Sequence, residues 1–217
     1  MDTMMPVVAG GFRAVIDDIC DLNWSGLRQS EITGAAWAYY YFSIQFRESL
    51  EIAYQMHPAD KLLKQLYDGE CNTDNLSPWP DVVQPGEKVN HDEFMRRTLA
   101  LTPIDQANRL RIEVIGRDYL TKMRAQDDLA RAMSISSFED GGLERVFTAM
   151  LTCQCWDTPL LASFRHFLVK HIEFDSDPDE GHGALARHLA PDERVRPLWN
   201  GFYSLFVQSV PYLKERP

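Results

Sequence analysis

The apolar and polar positions of this chain repeat with the period of an α-helix, and the alternation typical of β-strands is nearly absent. The clearest example runs from Ser30 to Met56 and stops before the His57-Pro58 pair. Similar patterns follow, and the last of them reads "VRPLWNGFYSLFVQSVPYLKE". The pattern predicts an all-α helical bundle of about seven or eight helices, with "PIDQANRLRIEVIGRDYLTKMRAQDDLARAMSISSF" forming one long helix or two.

One long interruption separates two of the predicted helices. It reads "CNTDNLSPWPDVVQPGEKVN" and contains three prolines, a glycine and several turn-forming residues. Loops of this length are uncommon inside compact domains and are often functional. We therefore interpret residues 71–90 as a candidate lid over a functional site.

Composition narrows the class of protein. The 217 residues, of which 45% are hydrophobic and 25% charged, are enough for a single domain with a sizeable core over residues 1–217. The net charge of −10 disfavours nucleic acid and anionic membranes as partners. No apolar run is long enough for a transmembrane helix, the first residues do not resemble a signal peptide, and the four cysteines are too scattered for a disulfide framework. We expect a cytoplasmic protein.

The stretch "KHIEFDSDPDEGHGALARHL" is rich in residues that bind metals. His171 and Asp175 are four residues apart and therefore share one face of a helix whose neighbouring positions are apolar. A buried histidine or aspartate requires a partner, and a metal ion can be that partner. His182 follows after an acidic turn and is a further candidate ligand.

A second set of candidate ligands lies elsewhere in the chain. Glu70 and His91 stand on either side of the long loop, and "FEDGGLERVF" offers a third acid, either Asp140 or Glu144. A fourth ligand is expected from "IQFRESLEI", where the choices are Glu48, Gln45 and Glu51. Carboxylates and imidazoles projecting inward from several helices are how helical bundles hold pairs of iron or manganese ions.

Three motifs, "DGECNTDN", "NHDEFMRR" and "HIEFD…HGALA", occur in the order found in a known group of proteins. Over about residues 30–210 the chain resembles the haem-oxygenase-like (TenA-like) non-haem diiron oxidase and oxygenase superfamily, and most closely an uncharacterised branch of it. The resemblance implies the following iron ligands: Glu70, His91, His171, Asp175 and His182, with Asp140 or Glu144 as the bridging acid and Glu48 as another.

The resemblance also implies a function. It predicts an O2-dependent oxidase or oxygenase that uses a pair of iron ions per chain and acts on a small organic molecule in biosynthesis. The substrate would be an amino acid, a fatty acid or a nitrogen-containing metabolite, and the implied partners are an external electron donor and a second copy in a homodimer. Tyr41, Phe42 and Gln45 are candidate residues of the substrate pocket. An anionic substrate would require a cation, for which the candidates are Arg47, Arg96, Arg97, Arg165 and Lys170.

Two other functions fit the same helical pattern. One is a metal-free enzyme of the same fold that uses Cys153 or Cys155 as a nucleophile. The other is a helical binding protein without catalytic activity. In that case replacing His171 or Asp175 by alanine would change stability and not metal content.

Overall fold

The part of the chain that the structure describes is mainly helical. The computed structural model describes residues 11–73, 76–175 and 181–215, and these contain ten α-helices, no β-strand and one isolated β-bridge between Trp79 and Val83. The predicted all-α class is confirmed, although the number of helices is higher than expected. Within the described ranges, no helix combines the length and the hydropathy needed to cross a membrane.

The helices have the following bounds: α1 Phe12–Cys20, α2 Gln29–Met56, α3 Lys61–Glu70, α4 His91–Ala100, α5 Gln106–Arg124, α6 Asp128–Glu139, α7 Gly142–Met150, α8 Pro159–Asp175, α9 His182–Ala186 and α10 Arg196–Ser209. One of the additional helices is α1, which the sequence pattern did not predict. The segment that the pattern left as one helix or two forms α5 and α6. They separate at Asp127, whose Oδ1 accepts hydrogen bonds from the backbone N–H groups of Leu129 and Ala130 and so caps α6.

The central element is α2, which packs against α3, α4, α5, α6, α8 and α10. It ends at Met56, directly before His57-Pro58, because proline disfavours a helical conformation in the residue before it. Its aromatic side chains enter a continuous hydrophobic core. Phe42, for example, stacks on Phe202 of α10 with ring centroids 4.0 Å apart. The helices that pack against α2 are therefore held around one shared hydrophobic core.

The loop that follows α3 is packed against the bundle. Leu76, Val82 and Val83 are buried, and Arg97 of α4 donates a hydrogen bond to the backbone carbonyl of Val82. His166 of α8 donates through Nε2 to the carbonyl oxygen of Leu76 at 2.9 Å. These contacts anchor the described part of the loop and give no structural support to the interpretation of the loop as a mobile lid.

Candidate metal centre

Five buried side chains with metal-binding chemistry meet where several helices end or begin. They are Glu70 at the end of α3, His91 at the start of α4, Glu139 at the end of α6, His171 in the last turns of α8 and His182 at the start of α9. The C-terminal ends of α3 and α6 and the N-terminal ends of α4 and α9 meet there, so helix ends of both dipole signs surround the five side chains.

The five residues form two groups that share one carboxylate. Glu70, His91 and His171 form the first group, and Glu70, Glu139 and His182 the second; within each, the candidate ligand atoms lie within 4.8 Å of one another. Glu70 Oε2 lies 2.8 Å from His91 Nδ1, whereas Glu70 Oε1 lies 3.0 Å from His182 Nδ1. The two oxygens of one carboxylate therefore face different groups, which is the arrangement of a carboxylate that bridges two metal ions.

The orientation of His171 leaves one ring nitrogen available as a ligand. Its Nδ1 donates a hydrogen bond to the carbonyl oxygen of Phe167 at 2.8 Å, so the Nε2 lone pair points away, towards His91 Nδ1 at 3.2 Å. Burial and the neighbouring His91 lower the pKa of His171 to about 3. His171 is therefore neutral near pH 7, as a metal-binding imidazole must be, and its ring is fixed by the hydrogen bond on its other nitrogen.

The two carboxyl groups of the centre have opposite protonation preferences. Burial raises the pKa of both, but for Glu70 the charges of His91 and His182 outweigh burial and lower the pKa to about 2. The pKa of Glu139 is raised well above its ordinary value by burial and then by the negative charge of Glu70. Without a metal ion, Glu70 is ionised and Glu139 carries a proton, because two adjacent buried carboxylates repel each other.

Two atoms of this centre lack the partners that buried polar atoms normally have. Neither Nε2 of His91 nor Oε2 of Glu139 makes a hydrogen bond to the described residues, and both are inaccessible to solvent. Unsatisfied buried atoms are rare in folded proteins and often mark a site for a water or an ion. A divalent cation held with Glu70 and His182 would give Oε2 of Glu139 a partner, whereas the His91 nitrogen that faces Glu70 and His171 is Nδ1 and not Nε2. Neutral imidazole with carboxylate is a donor set that suits iron, manganese and zinc. The residues present therefore fit a metal ion.

A small cavity of about 20 Å³ adjoins the centre. Four of its lining residues are members of the centre: Glu70, His91, His171 and Glu139. The others come mainly from α2 and its neighbours: Tyr39, Ser43, Phe46, Arg47, Asp92, Leu143 and Phe167. A cavity of this volume holds a group about the size of a water molecule, which is also the size range of dioxygen.

The structure brings together four of the residues that the sequence singled out: Glu70, His91, His171 and His182. The predicted ligand Asp175 is the last residue of α8, and its side chain lies outside the described part of the structure. For the other predicted ligands the structure requires corrections.

The acid that the structure places beside Glu70 and His182 is Glu139, and neither Asp140 nor Glu144. Asp140 lies outside both buried groups and accepts a hydrogen bond at 2.9 Å from the Arg187 guanidinium, and Glu144 lies in the first turn of the next helix, also outside both groups. The reason is local: α6 ends at Glu139, and Gly141 with its φ of 85° turns the chain away.

Glycine also accounts for the approach of α9 to this turn. A Cβ atom added at Gly183 would lie 2.9 Å from the backbone oxygen of Glu139, so a larger residue there would push α9 away. The close contact allows Nδ1 of His182, the preceding residue, to lie 3.1 Å from Glu139 Oε2. Sequence reasoning missed Glu139, although a signal was present. Ile135 and Ala132, four and seven residues earlier on the same face of α6, are apolar.

The predicted contribution from α2 also requires correction. Glu48 forms ion pairs with Arg124 at 2.6 Å and with Arg131 at 3.5 Å, and it lies outside the buried groups. Its alternative Glu51 is exposed. The α2 residues that line the cavity are Tyr39, Ser43, Phe46 and Arg47, and neither Glu48 nor Glu51 is among them.

The three residues predicted for the substrate pocket do not line this cavity. Tyr41 packs closely against Gly116 of α5, and Phe42 lies in the aromatic core. Gln45 is buried and hydrogen-bonded, donating to Ser49 and accepting from the hydroxyl of Tyr119. The helical period of α2 places these residues on the face that contacts α5 and α10.

The cysteines proposed as nucleophiles lie away from this centre. Cys153 and Cys155 follow the end of α7 in an irregular segment, not in a helix as expected, and neither lines the cavity. Burial raises the pKa of the Cys153 thiol, and its Sγ donates to the carbonyl oxygen of Leu27 at 3.5 Å. A raised pKa leaves fewer thiolate ions, so this environment is typical of an inert core cysteine.

Comparisons with known proteins found no counterpart: no family model, no curated protein and no solved structure matches this chain. The function is therefore inferred from the residues of the centre and from the three sequence motifs.

Proposed function

We propose that this protein is an O2-dependent non-haem diiron oxidase or oxygenase of haem-oxygenase-like fold that acts on a small organic molecule. The observation that carries the proposal is the position of Glu70, whose two oxygens face two separate groups of buried ligands. A carboxylate shared in this way between imidazole and carboxylate ligands from different helices is characteristic of dinuclear sites in helical bundles.

The composition of the first group favours iron. Glu70, His91 and His171 provide two imidazoles and one carboxylate, the set that non-haem iron oxygenases use while leaving other coordination positions open. Glu139 and His182 would hold the second ion together with Glu70. When bound, the iron pair would supply the redox chemistry with dioxygen that amino-acid side chains cannot perform.

The protein would hold the ligands in place and keep the site dry. The hydrogen bond from His171 to the Phe167 carbonyl fixes the imidazole ring, and the rings of Tyr39, Phe46 and Phe167 line the cavity with apolar surface. Glu139 holds a proton that must leave when its carboxylate binds a cation, so metal binding would release this proton.

The remaining features of the proposal come from the sequence resemblance. They are a substrate such as an amino acid, a fatty acid or a nitrogen-containing metabolite, a biosynthetic role and an external electron donor. The environment of Cys153 and Cys155 argues against the metal-free alternative with a cysteine nucleophile.

The test is to titrate the metal-free protein with Fe(II) under anaerobic conditions and then to admit oxygen. We expect about two ions per chain and oxygen uptake that requires the bound iron. His171→Ala should lose both properties. The matched control is His188→Ala, because His188 also pairs with a carboxylate, Asp60, but at the surface. Failure of the wild-type protein to bind iron, or equal behaviour of the two variants, would overturn the proposal.

A further inference from the structure

The cavity beside the metal centre has a charged pair at its surface end. Arg47 of α2 and Asp92 of α4 both line the cavity, and Arg47 Nε donates to Asp92 Oδ2 at 3.0 Å. Their side chains are 36% and 16% exposed, whereas those of Glu70 and His91 are 8% and 7% exposed. The pair therefore lies between the buried ligands and the solvent.

Both members of the pair have unused hydrogen-bonding capacity. The Arg47 guanidinium makes its hydrogen bond through Nε. Its two terminal nitrogens make no hydrogen bond to the described residues, so their N–H groups are available to a ligand. Oδ1 of Asp92 is inaccessible to solvent and has no hydrogen-bond partner in the described part of the chain. A cationic donor and an unsatisfied anionic acceptor thus stand side by side at the cavity.

Of the five cations that the sequence offered for an anionic substrate, Arg47 lines the cavity and the other four do not. Arg96 and Arg97 pair with Glu93, and Lys170 pairs with Glu173. Of the described residues that line the cavity, Arg47 is the one with a permanent positive charge. The position of the cavity therefore selects a single candidate from the five.

The volume of the cavity limits where a substrate can be recognised. About 20 Å³ accommodates little more than one water-sized group beside the ligands, so the polar part of an organic substrate must bind at the surface end. An isolated carboxylate would satisfy Arg47 and leave Asp92 Oδ1 without a donor. A compound with a carboxylate and an adjacent ammonium group would satisfy both residues.

We propose that Arg47 and Asp92 bind the carboxylate and the ammonium group of a small amino-acid substrate and present the rest of that molecule to the metal centre. As a statement about a substrate it rests on the proposed function, but the recognition itself requires only these two side chains. The Arg47–Asp92 contact opens when the substrate enters, since each residue then exchanges its partner for a group of opposite charge on the ligand.

The test uses binding, not activity. The protein is screened with the twenty common amino acids by thermal shift, and the affinity for the amino acid with the largest shift is then measured by calorimetry. That compound is then compared with its amide, which lacks the carboxylate charge, and with its des-amino acid, which lacks the ammonium group. We expect each analogue to bind at least about tenfold more weakly, because each loses a charge-assisted hydrogen bond.

Variants of Arg47 and Asp92 test which residue recognises the carboxylate of the ligand and which recognises its ammonium group. Arg47→Gln should abolish the preference for the carboxylate over the amide, and Asp92→Asn should abolish the preference for the amine, while Arg47→Lys should retain part of the first. Arg96→Gln is the matched control, since Arg96 is also paired with an acid but does not line the cavity. A general structural role would weaken all ligands equally and would leave both preferences in place.

The outcomes separate this inference from the proposed function. Ligand binding is measured with and without Zn(II), which cannot take part in redox chemistry, and Zn(II) stoichiometry is measured independently. Absence of binding by every amino acid, or unchanged preferences in Arg47→Gln, would overturn the recognition proposal even if both metals bind. Amino-acid binding with both preferences intact in a protein that holds no metal would support the recognition and refute the diiron function.

Discussion

Glu139 and Asp140 are neighbours in the sequence but occupy opposite environments. The side chain of Glu139 is 3% exposed, faces His182 and has a pKa well above its ordinary value because of burial. The side chain of Asp140 is 42% exposed and pairs with Arg187 at 2.9 Å. A difference of one residue at the end of α6 separates a candidate metal ligand from an ordinary surface ion pair.

The same contrast distinguishes Glu70 from Glu48. Glu48 is neutralised by Arg124 and Arg131, so it has little remaining affinity for a cation. The partners of Glu70 are imidazoles, which can be neutral and can bind the same ion as the carboxylate. Burial together with imidazole partners therefore distinguishes the candidate metal ligand Glu70 from Glu48, whereas Asp60 pairs with the imidazole of His188 at the surface.

Of the substitutions that test this contrast, removal of the Glu70 carboxylate should have the largest effect on iron content. Glu70→Ala eliminates the carboxylate common to both groups, so we expect iron content to fall from about two ions per chain to nearly none. Metal analysis after anaerobic loading measures the change. Glu48→Ala is the control and should retain the wild-type content; full iron content in Glu70→Ala would contradict the shared-ligand arrangement.

Substitution of Glu139 should remove one ion only. Because Glu139 is protonated in the metal-free protein, Glu139→Gln keeps a neutral group of the same shape and should change the metal-free stability by less than about 1 kcal/mol. We expect iron content to fall to about one ion per chain. The neighbouring Asp140→Asn serves as control, and an equal loss of iron in the two variants would remove the distinction between these acids.

In the metal-free protein, His171 and Glu139 should change stability in opposite directions on mild acidification, because His171 is held neutral and Glu139 is held protonated in the folded state. The folded-state pKa of His171, about 3, lies below the unfolded value of about 6.5, so its contribution is complete above pH 6.5 and is lost as the pH falls towards 3. Between pH 7 and pH 5.5 this residue should account for about 1 kcal/mol. Urea unfolding of the wild type and of His171→Gln at both pH values isolates this contribution, because the two proteins should differ by that amount in their change between pH 7 and pH 5.5; an identical pH dependence in the variant would show that His171 is not buried in its neutral form.

The smallest expected effect is on stability alone and follows from substitution of Glu48. Glu48→Gln weakens the ion pairs with Arg124 and Arg131 and should lower the free energy of unfolding by about 1 kcal/mol, with no change in iron content. Chemical denaturation in parallel with metal analysis checks both expectations. A change in iron content would place Glu48 in the metal centre, where the sequence had placed it.

The sequence predicted the helical class and most of the ligands because both depend on local patterns. Periodicity marks α2, and the residue types around His91 and His171 are unusual enough to stand out beside apolar neighbours. The choice of Glu139 over Asp140 depends on where α6 ends, and helix boundaries are the least certain part of such a prediction.

The prediction of the substrate-pocket residues was wrong for a different reason. Tyr39, Tyr41 and Phe42 are all aromatic and adjacent on α2, so composition cannot tell which face of the helix meets the ligands. Only the packing of α2 against α5 and α10 shows that Tyr41 and Phe42 point to the core, while Tyr39 and Arg47 line the cavity. Tertiary packing, not local pattern, determines this part of the site.

The most direct test of the central claim, that Glu70 links two ions, is Mössbauer and electron paramagnetic resonance spectroscopy of the iron-loaded, air-oxidised protein. A carboxylate bridge through Glu70 predicts about two ferric ions per chain whose spins couple, so that the signal of isolated ferric iron is absent. A single uncoupled ferric ion per chain, or two ions without coupling, would contradict the account.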